Sequence, residues 1–195
     1  GLYHMLILDL LFKPLNYLSK IIDSINHFVG IVVAWLTVLM VINVFVVVVL
    51  RYVFSIGFVW LQELYVWSHA AVFLLGAGYT LLHEGHVRID VIYRKSSFRY
   101  KAIVNLLGII IFAIPLLYLI LEKSWPLISR SWENLERSAE AGGMPGVFIL
   151  KSLIAVFAIL FGLQFFSLLV KSLNDLLWVS NASNHQSDSD LGGKE

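Results

Sequence analysis

The sequence predicts an all-α integral membrane protein. It has four transmembrane helices, an N-terminal interfacial amphipathic helix and a second surface helix on the outer side. Three observations carry this. Of the 195 residues, 59% are hydrophobic and only 14% charged, whereas a soluble domain carries about 25% charged residues. Four apolar runs stand out, at about 28–50, 60–82, 102–121 and 147–170. Each has the roughly 20 residues that a helix needs to cross ~30 Å of hydrocarbon. None alternates as a ten-residue membrane strand would.

Residues 1–27 form the first segment. "MLILDLLF" contains Asp9 and lacks a small-residue cleavage site, so it does not read as a signal peptide. Asp9, Lys13, Asn16, Lys20, Asp23 and His27 recur at spacings of 4, 3, 4, 3 and 4, one polar stripe on a helix with apolar residues on its other faces. Pro14 suits a first turn, where a missing N–H costs little. Such a helix lies in the membrane interface or packs its stripe onto the protein's own bundle. In the first span Asn43 suits a helix–helix hydrogen bond. Gly30 with Ala34, Ala71 with Gly78, and Ala158 with Gly162 suit close helix packing. Pro115 should bend the third span. Beyond it, Trp125, Ile128, Trp132 and Leu135 share a face. Ser124 stands as an N-cap and Pro126 in the first turn, which predicts the outer surface helix. Residues 171–195 form a tail, polar from 180 onward and expected to be largely disordered.

Loop charge sets orientation. Lys13, Lys20, Arg88, Arg94, Lys95, Arg99, Lys101, Lys171 and Lys194 lie on one side, and Arg51, Lys123, Arg130 and Arg137 on the other. The nine-to-four excess predicts that both termini are cytoplasmic. Tyr52, Trp60, Tyr65, Trp67, Trp125 and Trp132 then form an outer aromatic belt.

Few residues suggest chemistry. The chain has no cysteine, which excludes disulfides, thiolate metal sites and thiol nucleophiles. No basic cluster interleaved with aromatics suggests nucleic acid. "LLHEGHVRID" concentrates His83, Glu84, His86, Arg88 and Asp90 after the second span, but it lacks the HExxH zinc pattern. A b-type haem would need two histidines from different helices, with His27, His69 and His86 as candidates. His69 and His83 lie about 21 Å apart on one helix and cannot share one. The better reading is structural: Gly85 ends the helix in a left-handed turn, and the polar residues beyond it cap the end or meet headgroups. "AGGMPG" is turn chemistry ahead of the fourth span. Arg51, Glu63 and Lys151 share a depth near the outer face, so Glu63 should pair with Arg51 or Lys151. No nucleophile–base pair or acidic dyad appears, so the chain reads as a non-enzyme without a cofactor.

Four motifs then resemble, in order, the small membrane subunit (DctQ-type) of the tripartite ATP-independent periplasmic, or TRAP, transporters. "NVFVVVVLRYVF" closes the first span and carries Arg51. "WLQEL" opens the second, with Trp60 and Glu63, and Gln62 stands where the family usually has a first Glu. "EGHVRIDV" closes the second span, and "SAEAGGMPGVFILKSLI" leads into the fourth with Gly142, Gly143, Pro145 and Lys151. The resemblance covers about residues 43–170. It implies an inner-membrane subunit with both termini inside, so the outer surface helix is periplasmic. It also implies a large multi-span membrane subunit as partner and transient contact with a periplasmic substrate-binding protein, in sodium-driven uptake of organic anions. The small subunit would brace the large one and contribute to the docking face. Two other classes stand beside it: a haem-bearing electron carrier, and a self-sufficient four-helix homodimeric exporter.

Overall fold

The structure is a computed structural model. It describes the backbone of residues 2–85 and 95–192 and, within them, the side chains of 10, 12–85 and 95–177. Helix α1 runs over Leu2–Tyr52 and α2 over Val59–Leu82. The third span is α3 (Phe98–Gly108), a π-helical turn (Ile109–Ala113) and α4 (Ile114–Glu133). Helix α5 runs over Val147–Gly192. Four apolar stretches are long enough to cross a membrane: Phe12–Tyr52, Val59–Leu82, Phe98–Glu133 and Val147–Leu177. The all-helical, four-span expectation therefore holds.

Both amphipathic segments are helical, but neither is a separate element. The N-terminal one continues into the first span as one 51-residue helix, with Pro14 inside it rather than in a first turn. Between residues 15 and 29 there is neither Gly nor Pro, so nothing turns the chain into the interface. The outer one continues the third span. Ser124 is not its N-cap but a buried residue whose hydroxyl donates to the Leu121 carbonyl at 3.4 Å. Pro126 costs only one backbone bond, to Glu122, and both residues are exposed. The buried face there is Leu117, Ser124, Ile128 and Ser131. Trp125, Trp132 and Leu135 remain outside.

Ser97 starts the third span, its hydroxyl accepting the Tyr100 N–H at 3.3 Å. Where a bend was expected from Pro115, a π turn stands just before it. Proline cannot donate to the carbonyl four residues back and its ring crowds that group, so widening the helix by one residue relieves both. The tail expected to be disordered continues α5 as helix to Gly192. No Gly or Pro interrupts it after Gly162, and Ser, Asn and Asp lower helix propensity without forbidding it.

Helix α5 is the hub. Among the described residues it packs against α1, α2, α3 and α4, whereas α1 packs mainly on α2 and α5, and the third span mainly on α5. The four spans therefore do not close into a bundle, and the outer faces of α1 and of the third span stay uncovered. Trp35, Leu39, Phe45, Phe112 and Tyr118 are all exposed. The α1–α2 crossing rests on two glycines facing large side chains. A Cβ on Gly30 would run into the Tyr79 ring, and one on Gly78 into the Asn26 carboxamide. Gly162 has only ordinary contact, with Leu117 at 3.5 Å.

Gly78→Ala should therefore destabilise the protein by about 1–3 kcal/mol, the usual range for overpacking. Gly76→Ala should be close to neutral, because only Val33 lies near, at 3.5 Å. Thermal unfolding of the two variants in detergent checks the difference.

Candidate functional site

Two polar clusters join the helices, one at each end of the molecule. At the end that carries the 134–146 loop, α4 stops in a Schellman turn. Leu135 takes the left-handed conformation, with φ 44°. Its N–H donates to the Trp132 carbonyl at 3.2 Å, and the Glu136 N–H to that of Ser131 at 3.0 Å. The side chains lock the same turn, since the Ser131 hydroxyl donates to Glu136 Oε2 at 2.6 Å. Lys151 of α5 donates to that oxygen at 2.5 Å and ties α4 to α5. Trp132 Nε1 donates to Ser152 Oγ at 2.7 Å and adds a second tie. The Lys151 ammonium, helped by the Ser131 hydroxyl, holds the Glu136 carboxyl below the usual glutamate range.

The loop then folds as a small hairpin. Arg137 and Pro145 form an antiparallel bridge, and the Ser138 N–H donates to the Met144 carbonyl at 3.1 Å. At the tip the Gly143 N–H returns to the Glu140 carbonyl at 3.0 Å. Gly142, with φ 77°, occupies the third position, where a type II turn demands positive φ. Glu63, one turn into α2, sits under this hairpin. One carboxylate oxygen accepts the Ser138 hydroxyl, and the other accepts the Met144 N–H at 2.6 Å. A Cβ at Gly143 would crowd Ser138 and come within 2.9 Å of the Glu63 carboxylate, so glycine permits this close approach.

At the opposite end, α1 and α5 run antiparallel with their polar residues facing. Asp23 is the centre. Its carboxylate accepts Ser167 Oγ at 2.7 Å, Gln164 Nε2 at 2.9 Å and Lys171 Nζ at 2.5 Å. Ser167 gives its proton to Asp23, so Ser19, 2.6 Å away, donates to Ser167. Asn26 donates to Gln164 Oε1 at 2.9 Å, and Asn174 to Asn16. Ser19, Asn26, Gln164 and Ser167 are buried. Beside them His27 stacks on His83 with ring centroids 5.6 Å apart, and Tyr79 lies 4.2 Å from His83.

These clusters gather some of the candidates and leave others apart. Glu63, Gly142, Gly143 and Pro145 meet in one hairpin, and Lys151 braces its base. The expected ion pair of Glu63 with Arg51 or Lys151 does not form. Backbone and hydroxyl donors satisfy Glu63, and Lys151 is taken by Glu136. Arg51 is exposed and enters none of these bonds. Trp60 is exposed and tilts against Phe58 at 6.3 Å. Asn43 makes the expected interhelical bond, donating to the Leu61 carbonyl at 3.3 Å.

After the second span, α2 ends at Leu82, so the helix stops near "HEG" as expected rather than running straight through it. The left-handed residue is not Gly85, however. It is Glu84, with φ 54°. Gly85 lies one step further, its N–H donating to the Thr80 carbonyl at 2.8 Å while Glu84 donates to Leu81 at 3.2 Å. The Schellman motif puts its left-handed residue one place before the last donor, so the turn falls a residue early. His86, Arg88 and Asp90 lie outside the described residues. Among the described residues no group of three His, Cys, Asp or Glu side chains is placed to hold a metal.

Sequence reasoning gave Glu136, Ser131 and Ser138 no bonding role, and nothing in their spacing marks one. It also missed Gln164 and Ser167, for which a signal exists. Gln164, Ser167, Lys171 and Asn174 repeat at 3, 4 and 3, the same spacing as Asn16, Ser19, Asp23 and Asn26.

Against known proteins, the family model for the DctQ component of tripartite ATP-independent periplasmic transporters matches residues 40–175. No curated relative and no solved structure is similar enough to add to that match.

The Glu136 bonds make a pH prediction. A carboxyl held below its unfolded pKa contributes stability that is complete above that value and lost as pH falls through the folded one. The chain lacks cysteine, so Ala141→Cys takes a single spin label at the hairpin tip. Label mobility should be low and constant above about pH 4.5, the ordinary value for the group, and rise below it. Glu63→Gln should raise mobility at neutral pH as well, because an amide cannot accept from both Ser138 and Met144.

Proposed function

Because the chain belongs to the DctQ family, the small components of TRAP transporters, we propose that it is the non-catalytic brace of a sodium-coupled importer of organic anions. It is a multi-pass inner-membrane permease subunit, and its family implies a large membrane subunit and a binding protein as partners. The observation that carries the bracing role is the distribution of polarity. Asp23, Asn26, Gln164, Glu63 and Glu136 spend their hydrogen bonds inside the chain. Over residues 28–50 of α1 and 103–119 of the third span the exposed side chains are apolar or aromatic. A rigid plate with a dry outer face suits permanent contact with a larger apolar partner, because burying that face costs no polar group its partner.

In this reading both termini are cytoplasmic, supported by the nine-to-four charge excess. The Glu63 hairpin then faces the periplasm and joins the surface on which the loaded binding protein lands. Gly142, Gly143 and Pro145 serve this role by fixing the hairpin's shape. Substrate and sodium are held by the large subunit.

Two expectations follow. Tagged protein drawn from native membranes in mild detergent should bring a much larger multi-span protein with it. Recovery of the small chain alone would contradict the brace. Liposomes holding only this chain should show no sodium-dependent uptake of organic anions, and uptake there would contradict the non-catalytic role.

A further inference from the structure

Helix α1 is longer than the membrane is thick. Tyr52 ends it at one interface, and Lys20 lies 32 residues away, about 48 Å along the axis at 1.5 Å per residue. With the usual tilt of about 20°, the depth is about 45 Å, close to the full thickness of a bilayer with its headgroups. Lys20 therefore reaches the headgroup layer on the side of the chain termini, and Lys13, about 10 Å further out, reaches back toward it with its flexible stem. Phe28, about 12 Å nearer the centre, reaches acyl chains.

The outward face of α1 at this level combines two chemistries. Tyr17, Ile21, Ile25 and Phe28 are exposed by 41% or more. Two shallow grooves run along them. One, of about 500 Å³, is lined by Tyr17, Lys20, Ile21, Ser24, Ile25 and Phe28. The other, of about 540 Å³, includes Lys13 and Phe12 and shares Tyr17 and Lys20, so the two are continuous. Lys13 and Lys20 are seven residues apart, two turns on one face, with Tyr17 between them. Both are exposed. Among the described residues the ion pairs are Lys123–Glu122, Lys151–Glu136 and Lys171–Asp23. Asp23 faces α5 and is committed to Lys171, so among the described side chains neither groove lysine has a carboxylate partner.

We propose that this groove binds an anionic phospholipid of the leaflet on the termini side. Lys13 and Lys20 converge on its phosphate through their flexible stems, and one acyl chain lies along Tyr17, Ile21 and Phe28. Two cations without a carboxylate partner among the described side chains, one at headgroup depth and one just outside it, flank an apolar channel and complement one molecule that carries both a negative head and a hydrocarbon tail. A zwitterionic lipid fits the channel but leaves the net charge uncompensated. A free phosphate fits the lysines but leaves the channel bare.

The test is native mass spectrometry of the full chain in a neutral detergent, with phosphatidylglycerol or phosphatidylcholine added. Phosphatidylglycerol should be retained over phosphatidylcholine. Lys13→Gln and Lys20→Gln should each weaken that preference about five-fold, the effect of one lysine near an anionic surface. Lys13→Arg with Lys20→Arg should keep it. Both positions are exposed, so equal thermal unfolding of all variants is expected and confirms that folding is not the cause. The proposal is overturned by equal retention of the two lipids, by a Lys13→Gln/Lys20→Gln double variant with undiminished preference, or by displacement of the lipid with excess inorganic phosphate.

Discussion

The contact of α1 with α5 at the termini end of the molecule depends on the Asp23 carboxylate. Three donors from α5 reach it directly, Ser167, Gln164 and Lys171, and two from α1 reach it through them, Ser19 and Asn26. A carboxylate on a helix facing lipid is costly unless its charge and lone pairs are met. Meeting them from one neighbouring helix fixes which face of α1 turns inward, and at what height along α5. The apolar residues of α1 then have no choice but to face outward.

The loop end solves the same problem differently. Glu63, in the first turns of α2, and Glu136, just past the C-terminus of α4, both meet the 134–146 loop, so a folded loop shares with α5 the task of satisfying them. Glu63 takes a backbone N–H and a hydroxyl from the hairpin, while Glu136 takes Lys151 and the serine of its own Schellman turn. The molecule is thus fastened at both ends through α5, with little but apolar packing between. That is the mechanical character expected of a static support, and it agrees with membership of the small-subunit family.

Much of this was legible in the sequence, for reasons that can be named. Spans are legible because length and hydrophobicity are local properties. Gly142, Gly143 and Pro145 were legible as turn chemistry, although not as the cover of Glu63. The amphipathic stripe from Asn16 to His27 was visible, but whether it met lipid headgroups or α5 depended on a matching stripe 138 to 158 residues away. The Glu63 partner was misread because depth alone suggested a cation. The actual donors, Ser138 and the Met144 N–H, depend on a hairpin fold that no periodicity announces. The left-handed residue fell on Glu84 because the Schellman geometry counts from the helix end. Gly85 is the conspicuous residue but lies one position too late.

The most direct test of the account exploits the absence of cysteine. Ser19 and Ser167 stand with their hydroxyls 2.6 Å apart across α1 and α5, a spacing that suits paired cysteines. The double variant Ser19→Cys/Ser167→Cys, made in the full chain and oxidised mildly in native membranes, should form an intramolecular disulfide in most molecules. The pair Ser24→Cys/Ser167→Cys should form none, because Ser24 lies on the outward groove face of α1. Efficient closure of the second pair and not the first would mean that α1 turns a different face to α5, and the account built on Asp23 would fail.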